Sequence, residues 1–171
     1  MSFRRLKNQF IAKVIARFPS LAERLTASYE PWKSVDIPWT PVTKALATST
    51  VALVTTAGVH HREQKPFDMK DHEGDPSFRV IDYRKPLLSL MITHDYYDHS
   101  DADRDINIVF PLERLREFEQ EGRIGHVADL HYGFMGHITG RNIPTLIHKS
   151  ASEVARSLKK AGVDVVLLTP G

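Results

Sequence analysis

The sequence predicts an α/β protein with a three-layer, mostly parallel open sheet of the Rossmann or flavodoxin-like kind, behind an N-terminal helical arm. Short apolar runs at residues 51–56, 87–93 and 163–168 are typical of strands buried on both faces. Helical patterns alternate with such strands, as in βαβ units. The chain has 171 residues, 42% of them hydrophobic and 26% charged, which is enough for one core and favours a single domain.

Composition excludes several classes of partner and chemistry. Lys and Arg total 23 against 21 for Asp and Glu, so a net charge of +2 argues against nucleic-acid and membrane partners. The absence of Cys removes disulfides, thiolate metal sites and a Cys nucleophile from these 171 residues. Basic residues interrupt the N-terminal apolar pattern and no apolar run would span a bilayer, so we expect a cytoplasmic protein.

The arm is assigned to residues 1–41 and the α/β domain to residues 42–171. Apolar residues recur at helical spacing before Pro19, which predicts an amphipathic helix packed on the domain or on a second subunit, with a membrane surface as the alternative. Residues 31–41 hold three Pro and two Trp residues and are expected to form an extended strap. The helix stripe consists of Phe3, Leu6, Phe10, Val14 and Phe18.

The first predicted strand, residues 51–56, runs into the small residues Ala57 and Gly58, the first candidate ligand loop. This loop lacks the further glycines of a dinucleotide fingerprint. Residues 61–78 are polar and rich in Asp, His, Gly and Pro taken together, so a long loop is expected there. The strand at residues 87–93 leads into the polar residues 94–105.

Further elements follow in the second half. Residues 106–110 suggest a short strand or an extended lead-in, and Pro111 suits the first residue of a helix that stops at Gly122. Residues 124–130 are a further candidate strand, followed by a turn flanked by Gly133 and Gly136.

The last unit of the sheet is a helix followed by a strand. Ser150 and Glu153 have the spacing of a capping box, and Gly162 suits the residue just after the helix. The strand at residues 163–168 then ends at Thr169, where the carboxyl end of a parallel strand is expected to meet other ligand loops.

The residues that flank strand ends are the candidate site. His residues there are potential acids or bases, although a structural, hydrogen-bonded His explains His60 and His61 equally well. The glycines could present backbone N–H groups to an anion, or only permit tight turns. The candidate catalytic residues are His60, His94, His99 and Asp105. The candidate substrate-binding residues are Thr55, Thr56, Gly58, Asn107, Gly133, Gly136 and Thr169.

Residues 94–105 combine His and Asp side chains, the ligand types of Mg, Mn or Zn sites. A solvated loop, or a loop that positions an organic substrate, explains them as well. Since no metal-binding motif is complete, we assign no metal.

Several segments carry a resemblance to a known family. The chain from Ile37 onward resembles, in order, the selenoprotein B family of glycine, sarcosine, betaine and D-proline reductases. The matching segments are IPWTP (37–41), VALVTTAGVH (51–60), DPSFR (75–79), DINIVFPLERL (105–115), GRIG (122–125) and AGVDVVLL (161–168).

The resemblance implies a reductase subunit whose selenol or thiol attacks a small amino-acid-like substrate. It also implies a thioredoxin-like or other dithiol electron donor, and a second copy or other reductase subunits as partners. The family's selenocysteine or cysteine follows the strand at 163–168, so we expect that nucleophile just after Gly171, at an in-frame UGA codon. The alternatives are a metal-dependent hydrolase using residues 94–105, a non-catalytic binding subunit, and a natural terminus at Gly171.

Overall fold

The computed structural model describes residues 3–18, 20, 23 and 40–171. The chain divides into two compact units, one of residues 1–43 with 95–98 and the other of residues 44–94 with 99–171. The predicted split at residue 41 and the single-domain organisation stay predictions.

The first unit contains the predicted amphipathic helix, α1 (Phe3–Arg17). Ala12 is buried, and Gln9 Nε2 donates to Asp95 Oδ1 at 3.2 Å. Residues 31–39 of the predicted strap lie outside the described residues.

The second unit is built around β1 (Thr50–Thr55), which pairs in parallel along both of its edges. One edge carries β7 (Val165–Thr169) over five residues, and the other carries β5 (His126–Val127) and then β6 (Leu130–Gly133). β3 (Arg79–Asp82) joins β6 in the antiparallel direction. The sheet is therefore mostly parallel, and it brings the carboxyl ends of β1, β6 and β7 together.

β2 (Val59–His61) and β4 (Leu90–Ile92) form a separate antiparallel pair. The prediction that residues 87–93 form one strand of the main sheet is therefore wrong. Residues Leu87–Ser89 form a 3-10 turn, because Pro86 precedes them and Ser89 Oγ bonds back to the Pro86 carbonyl at 2.7 Å.

The helices of this unit are α2 (Leu112–Gln120), α3 (Asn142–Thr145) and α4 (Ala151–Lys160), with a π-helical turn, Leu146–Ser150, between the last two. One core cluster joins a face of β1 to α4 and the end of β6. Its buried members are Ala52, Val54, Ala128, Tyr132, Phe134, Val154 and Leu158. The α/β class is confirmed, whereas the three-layer Rossmann or flavodoxin-like arrangement stays a prediction.

Local predictions meet with mixed outcomes. The predicted helix near Pro111 is confirmed, although it begins one residue later, at Leu112. The predicted loop is confirmed from residue 62 to 78, because His61 still belongs to β2. The left-handed Gly162 after α4 is also confirmed. The capping box is wrong, because Ser150 is itself helical and makes no side-chain cap bond, so α4 continues the π-helical turn.

Two further strand predictions need correction. Residues Ile106–Ile108 form a 3-10 turn, because the Asp105 carboxylate accepts the Asn107 N–H and caps it. The strand at residues 163–168 exists as β7 but is not buried on both faces, since the neighbouring residues Leu167 and Leu168, which point to opposite faces, are 40% and 71% exposed. Among the described residues β1 is the only strand that pairs with β7, so β7 also lies at an edge of the sheet. Within the described part of the chain, no helix has the length and apolar character needed to cross a bilayer.

Candidate active site

The carboxyl ends of β1, β6 and β7 form what we call the strand-end cluster: Thr55, Thr56, Gly58, Gly133, Gly136 and Thr169. Thr55 lies in register with Gly133 on β6 and with Thr169 on β7. The Thr56 N–H donates to the Thr169 carbonyl at 3.0 Å, and the Gly58 N–H donates to the Phe134 carbonyl at 2.8 Å. All of the cluster residues were predicted from their positions at strand ends.

Two glycines let the loops of this cluster approach closely. Gly136 has a φ of +87°, and a Cβ there would lie 2.3 Å from the Thr56 carbonyl oxygen. Gly58 has a φ of +75°, and a Cβ there would lie 2.5 Å from the Thr93 carbonyl oxygen. Both positions therefore need glycine for close packing as well as for backbone conformation.

The hydroxyl groups of the cluster already have protein partners. Thr55 Oγ1 and Thr169 Oγ1 both donate to the Val109 carbonyl, at 3.0 and 2.7 Å. Thr55 Oγ1 also accepts the Ala57 N–H at 3.2 Å, and Thr55 is fully buried. The two hydroxyls therefore connect the ends of β1 and β7 to the Val109 segment. Direct substrate contact by Thr55 and Thr169 stays a prediction.

His60 on β2 is fully buried and bonded through both ring nitrogens. Nδ1 lies 2.7 Å from the His61 carbonyl and must donate to it, so Nε2 accepts the Thr93 hydroxyl at 2.8 Å. Burial lowers the pKa of His60 against the opposing effect of the carbonyl bond, so the ring is neutral near pH 7. This arrangement is that of a structural histidine, and its role as an acid or base stays a prediction.

His61 is held in the same way and ties β2 to β3. Its Nε2 accepts the Asp82 N–H at 3.1 Å, and its Nδ1 lies 2.8 Å from Ser89 Oγ. Burial, with Lys85 nearby, lowers the pKa of His61.

A third buried histidine, His131 on β6, was not singled out from the sequence. Its Nδ1 accepts the Leu53 N–H at 2.9 Å, where the pairing of β1 passes from β5 to β6. Burial, with a smaller contribution from Arg116, lowers the pKa of His131 to about 4. The ring is therefore neutral and completes the hydrogen bonding of β1.

His94 is buried where the chain leaves β4. The Thr93 N–H donates to the Gly58 carbonyl at 2.9 Å. A Cβ added at Gly58 would lie 3.2 Å from the Cβ of His94. The end of β4 is thus in contact with the strand-end cluster, and His60 reaches the same point through Thr93.

A cleft of about 540 Å³ lies beside β4. It contains three of the predicted site residues, His99, Asp105 and Asn107, and His99 Nδ1 lies 2.8 Å from Asp103 Oδ2. Its apolar wall comes from β4 and the preceding turn. The other lining residues include Arg62, Leu88, Leu90, Ile92, Arg104, Ile106 and Glu113.

The acidic wall of the cleft is the network Asp105, Asn107 and Glu113. The Asn107 side-chain amide donates to Asp105 Oδ1 at 2.9 Å and to Glu113 Oε2 at 2.7 Å, and Asn107 Oδ1 accepts the Glu113 N–H at 3.1 Å. Hydrogen bonds from the Asn107 side chain and backbone lower the pKa of Asp105. Asp105 is therefore an anion near neutral pH and is better suited to binding a cation than to donating a proton.

The structure therefore places the predicted residues in two groups, one at the strand-end cluster and one in the cleft, and residues 105–109 connect the two groups. Val109, which receives both threonine hydroxyls, lies two residues beyond Asn107 in the acidic wall. Sequence reasoning missed Arg62, since it lies in a loop without a motif, and missed Glu113, although the family-like segment at residues 105–115 contains it. It also missed the Val109 carbonyl, because a backbone acceptor leaves no signal in residue type.

A metal site is not apparent in this region. Among the residues that the structure describes, no group of three or more His, Asp or Glu side chains is arranged to hold a metal ion.

The chain thus has the mixed α/β class with an open, mostly parallel sheet, and in such sheets the loops at the carboxyl ends of the strands are where ligands generally bind. Comparison with known proteins identifies the family within this class. The model of the family described as Glycine/sarcosine/betaine reductase selenoprotein B matches residues 21–171, and the chain belongs to that family.

Individual relatives agree with this assignment. The chain is 44% identical over 133 residues to D-proline reductase subunit gamma of Acetoanaerobium sticklandii, covering 78% of the chain and 53% of that protein. It is 32% identical over 137 residues to glycine reductase complex component B subunit gamma of Carboxydothermus hydrogenoformans, covering 78% of the chain and 30% of that protein.

A third relative is betaine reductase complex component B subunit beta of Peptoclostridium acidaminophilum, 32% identical over 133 residues, with 74% of the chain and 29% of that protein covered. The matched region thus spans about half or less of the length of these relatives. No solved structure matches the chain.

Proposed function

We propose that this chain provides the substrate-binding and strand-end framework of a reductase acting on a small amino-acid-like substrate. A selenol or thiol would attack a substrate carbon and displace a leaving group, so that a carbon–selenium or carbon–sulfur bond replaces the bond to that group. A thioredoxin-like or other dithiol donor would then supply two electrons and two protons, which release the reduced product, restore the selenol or thiol and leave the donor as a disulfide. The observation that carries the proposal is family membership over residues 21–171. Relatives named as reductase subunits support other reductase subunits as partners. A second copy as partner and a location in the cytoplasm are further parts of the proposal.

We place the nucleophile on a segment following Gly171. The chain leaves β7 at Thr169 beside Thr55, and a Cβ on Gly171 would lie 2.4 Å from the Cα of Ala57. This close packing directs the chain toward the Ala57–Gly58 turn, whose far side meets the end of β4. A nucleophile there would lie among the loops at the strand ends, where α/β proteins hold ligands. A three-layer Rossmann or flavodoxin-like sheet in the whole protein is part of the same proposal.

The cleft supplies the chemistry expected for a small charged substrate. The carboxyl groups of Asp105 and Glu113 suit an ammonium or imino nitrogen, and Arg62, which also lines the cleft, suits a carboxylate. His99, held by Asp103, is the best placed candidate for proton transfer, because it lines the cleft directly. His60 and His94, which lie beside the strand-end cluster, are the further candidates for proton transfer.

The test compares the 171-residue chain with read-through forms that carry selenocysteine, cysteine or serine at the position after Gly171. Each form is supplied with a dithiol and with glycine, sarcosine, betaine or D-proline, alone and with the other reductase subunits. We expect substrate-dependent dithiol oxidation with selenocysteine, less with cysteine, and none with serine or the short chain. Tandem stop codons after Gly171 in the gene, or equal activity of the serine form, would overturn the placement of the nucleophile.

The same assay separates the alternatives. A metal-dependent hydrolase would respond to divalent metal ions without any dithiol, and a binding subunit would bind substrate without turnover in every form. Family membership over residues 21–171 favours the reductase over the hydrolase.

A further inference from the structure

We propose that Thr55 and Thr169 are positioning residues that hold the acidic wall of the cleft in register with the carboxyl ends of β1 and β7. This inference rests on the proposed function, because it takes the cleft to be the substrate site. It adds a role for two side chains that do not line the cleft.

The first step is the double hydrogen bond to a single acceptor. Thr55 Oγ1 and Thr169 Oγ1 donate to the Val109 carbonyl from adjacent strands, at 3.0 and 2.7 Å. A carbonyl oxygen has two lone pairs, so the two hydroxyls satisfy it fully. Val109 is buried, so loss of both bonds would leave an unpaired buried acceptor unless the segment moved to reach water.

The second step is the rigidity of the segment between Val109 and the cleft. The Ile108 N–H donates to the Asp105 carbonyl at 3.2 Å, and the Phe110 N–H donates to the Ile106 carbonyl at 2.8 Å. A segment closed by its own backbone bonds moves as one piece. Fixing Val109 therefore fixes the backbone that carries Asp105 and Asn107.

The third step is the dependence of the acidic wall on that backbone. Asp105 Oδ1 accepts the Asn107 N–H at 3.0 Å as well as its side-chain amide, and the Glu113 N–H returns to Asn107 Oδ1. The three side chains hold their geometry through bonds to one another, so a shift of the turn would displace the whole wall. A displacement of about 1 Å in a substrate-binding group can reduce turnover on the order of a hundredfold.

Hydrogen exchange on the 171-residue chain tests the clamp without any assay of activity. Thr55→Val and Thr169→Val remove each hydroxyl while keeping the shape, and Thr55→Ser and Thr169→Ser keep the hydroxyl. The reporters are the amides of Asn107 and Glu113, which bond to the acidic wall. We expect protection of these amides to fall about fivefold in each Val variant, the worth of one net hydrogen bond.

In the double Val variant we expect a loss of protection larger than the product of the two single losses, because the remaining hydroxyl still holds the carbonyl after one substitution. The Ser variants should retain protection. Thr48→Val is the matched control, since Thr48 Oγ1 donates to the Ala45 carbonyl at 3.0 Å before the other end of β1. Unchanged protection of the wall in the double Val variant, or equal loss in the Thr48→Val control, would overturn the clamp.

Kinetics of the read-through form then test whether the clamp serves the reaction. We expect kcat/KM to fall about tenfold or more in the Val variants, and the Ser variants to restore it. A loss of protection together with unchanged kcat/KM would overturn the positioning role. If no form shows reductase activity while the exchange results hold, the proposed function fails and the structural clamp stands.

Discussion

β1 and β7 have closely similar sequences but lie in different surroundings. Both are short aliphatic runs that end in threonine, and they pair in register over five residues. β1 has parallel partners on both edges, and Leu53 is fully buried, whereas its register partner Leu167 on β7 is 40% exposed. An aliphatic run therefore indicates a strand of a parallel sheet but does not say whether that strand is central or at the edge.

The largest expected effect on stability comes from substituting Asp at either member of the register pair Leu53 and Leu167. Leu53→Asp buries an unpaired carboxylate between two neighbouring strands and should cost several kcal/mol, on the order of the whole stability. Leu167→Asp places the same group where water reaches it and should cost about 1 kcal/mol or less. Denaturant unfolding of both variants measures the difference, and equal losses would show that β7 is covered as fully as β1.

A strand buried on both faces at residues 163–168 would make Val166→Asp unfold the domain, whereas the observed exposure groups this substitution with Leu167→Asp. Val166 is 37% exposed, and its register partner is the fully buried Ala52. We expect a modest loss of stability there.

The second expected effect is the dependence of stability on pH through His131, whose Nδ1 accepts the Leu53 N–H of β1. The pKa of His131 falls from 6.5 to about 4 on folding, so the folded state disfavours its proton. Its contribution, roughly 3 kcal/mol, is present above pH 6.5 and is lost as the pH falls toward 4. Protonation also removes the acceptor for the Leu53 N–H.

The measurement is the unfolding free energy between pH 7 and 4 for the parent chain and for His131→Gln. The variant should be less stable at pH 7 and should lose less stability on acidification. Since burial also lowers the pKa of His60 and His61, only the difference between the two curves reports His131. Parallel curves would mean that this ring does not control the acid response.

The third effect concerns the packed end of β1. Gly136→Ala combines a left-handed backbone with a Cβ 2.3 Å from the Thr56 carbonyl, and should cost about 2 to 3 kcal/mol. Gly122→Ala is the matched control, because Gly122 has a φ of +70° with no atom within 4 Å of the added Cβ, so only the cost of the left-handed backbone, about 1 kcal/mol, is expected. Thermal unfolding compares the two, and equal losses would mean that the loops of the strand-end cluster can separate without cost.

The sequence predicted which segments of the α/β unit form strands and helices, and in what order, better than it predicted which strands pair with one another. The run at residues 51–56 and the helix after Pro111 could be predicted, because hydrophobic period and helix-start residues are local signals. The separate pairing of β2 with β4 could not be predicted, because it depends on which other strand of the folded protein pairs with Val59 and its neighbours in β2. In the site, strand ends predicted Thr55, Gly58 and Thr169, whereas the backbone acceptor Val109 and the ring acceptor His131 depend on contacts between distant segments.

The smallest expected effect is the most direct measure of the contrast between the two strands. Val54 and Leu168 are register partners, but Val54 is 9% exposed and packs in the cluster with α4, whereas Leu168 is 71% exposed. Val54→Ala should cost about 2 kcal/mol, because it leaves a cavity in that cluster. Leu168→Ala removes a larger side chain yet should change stability by no more than about 0.5 kcal/mol. The measurement is chemical denaturation of the chain alone and of the chain with other reductase subunits. A large loss of stability for Leu168→Ala in the chain alone would contradict the edge position of β7. A loss of stability only in the presence of the other subunits would mean that they cover this edge.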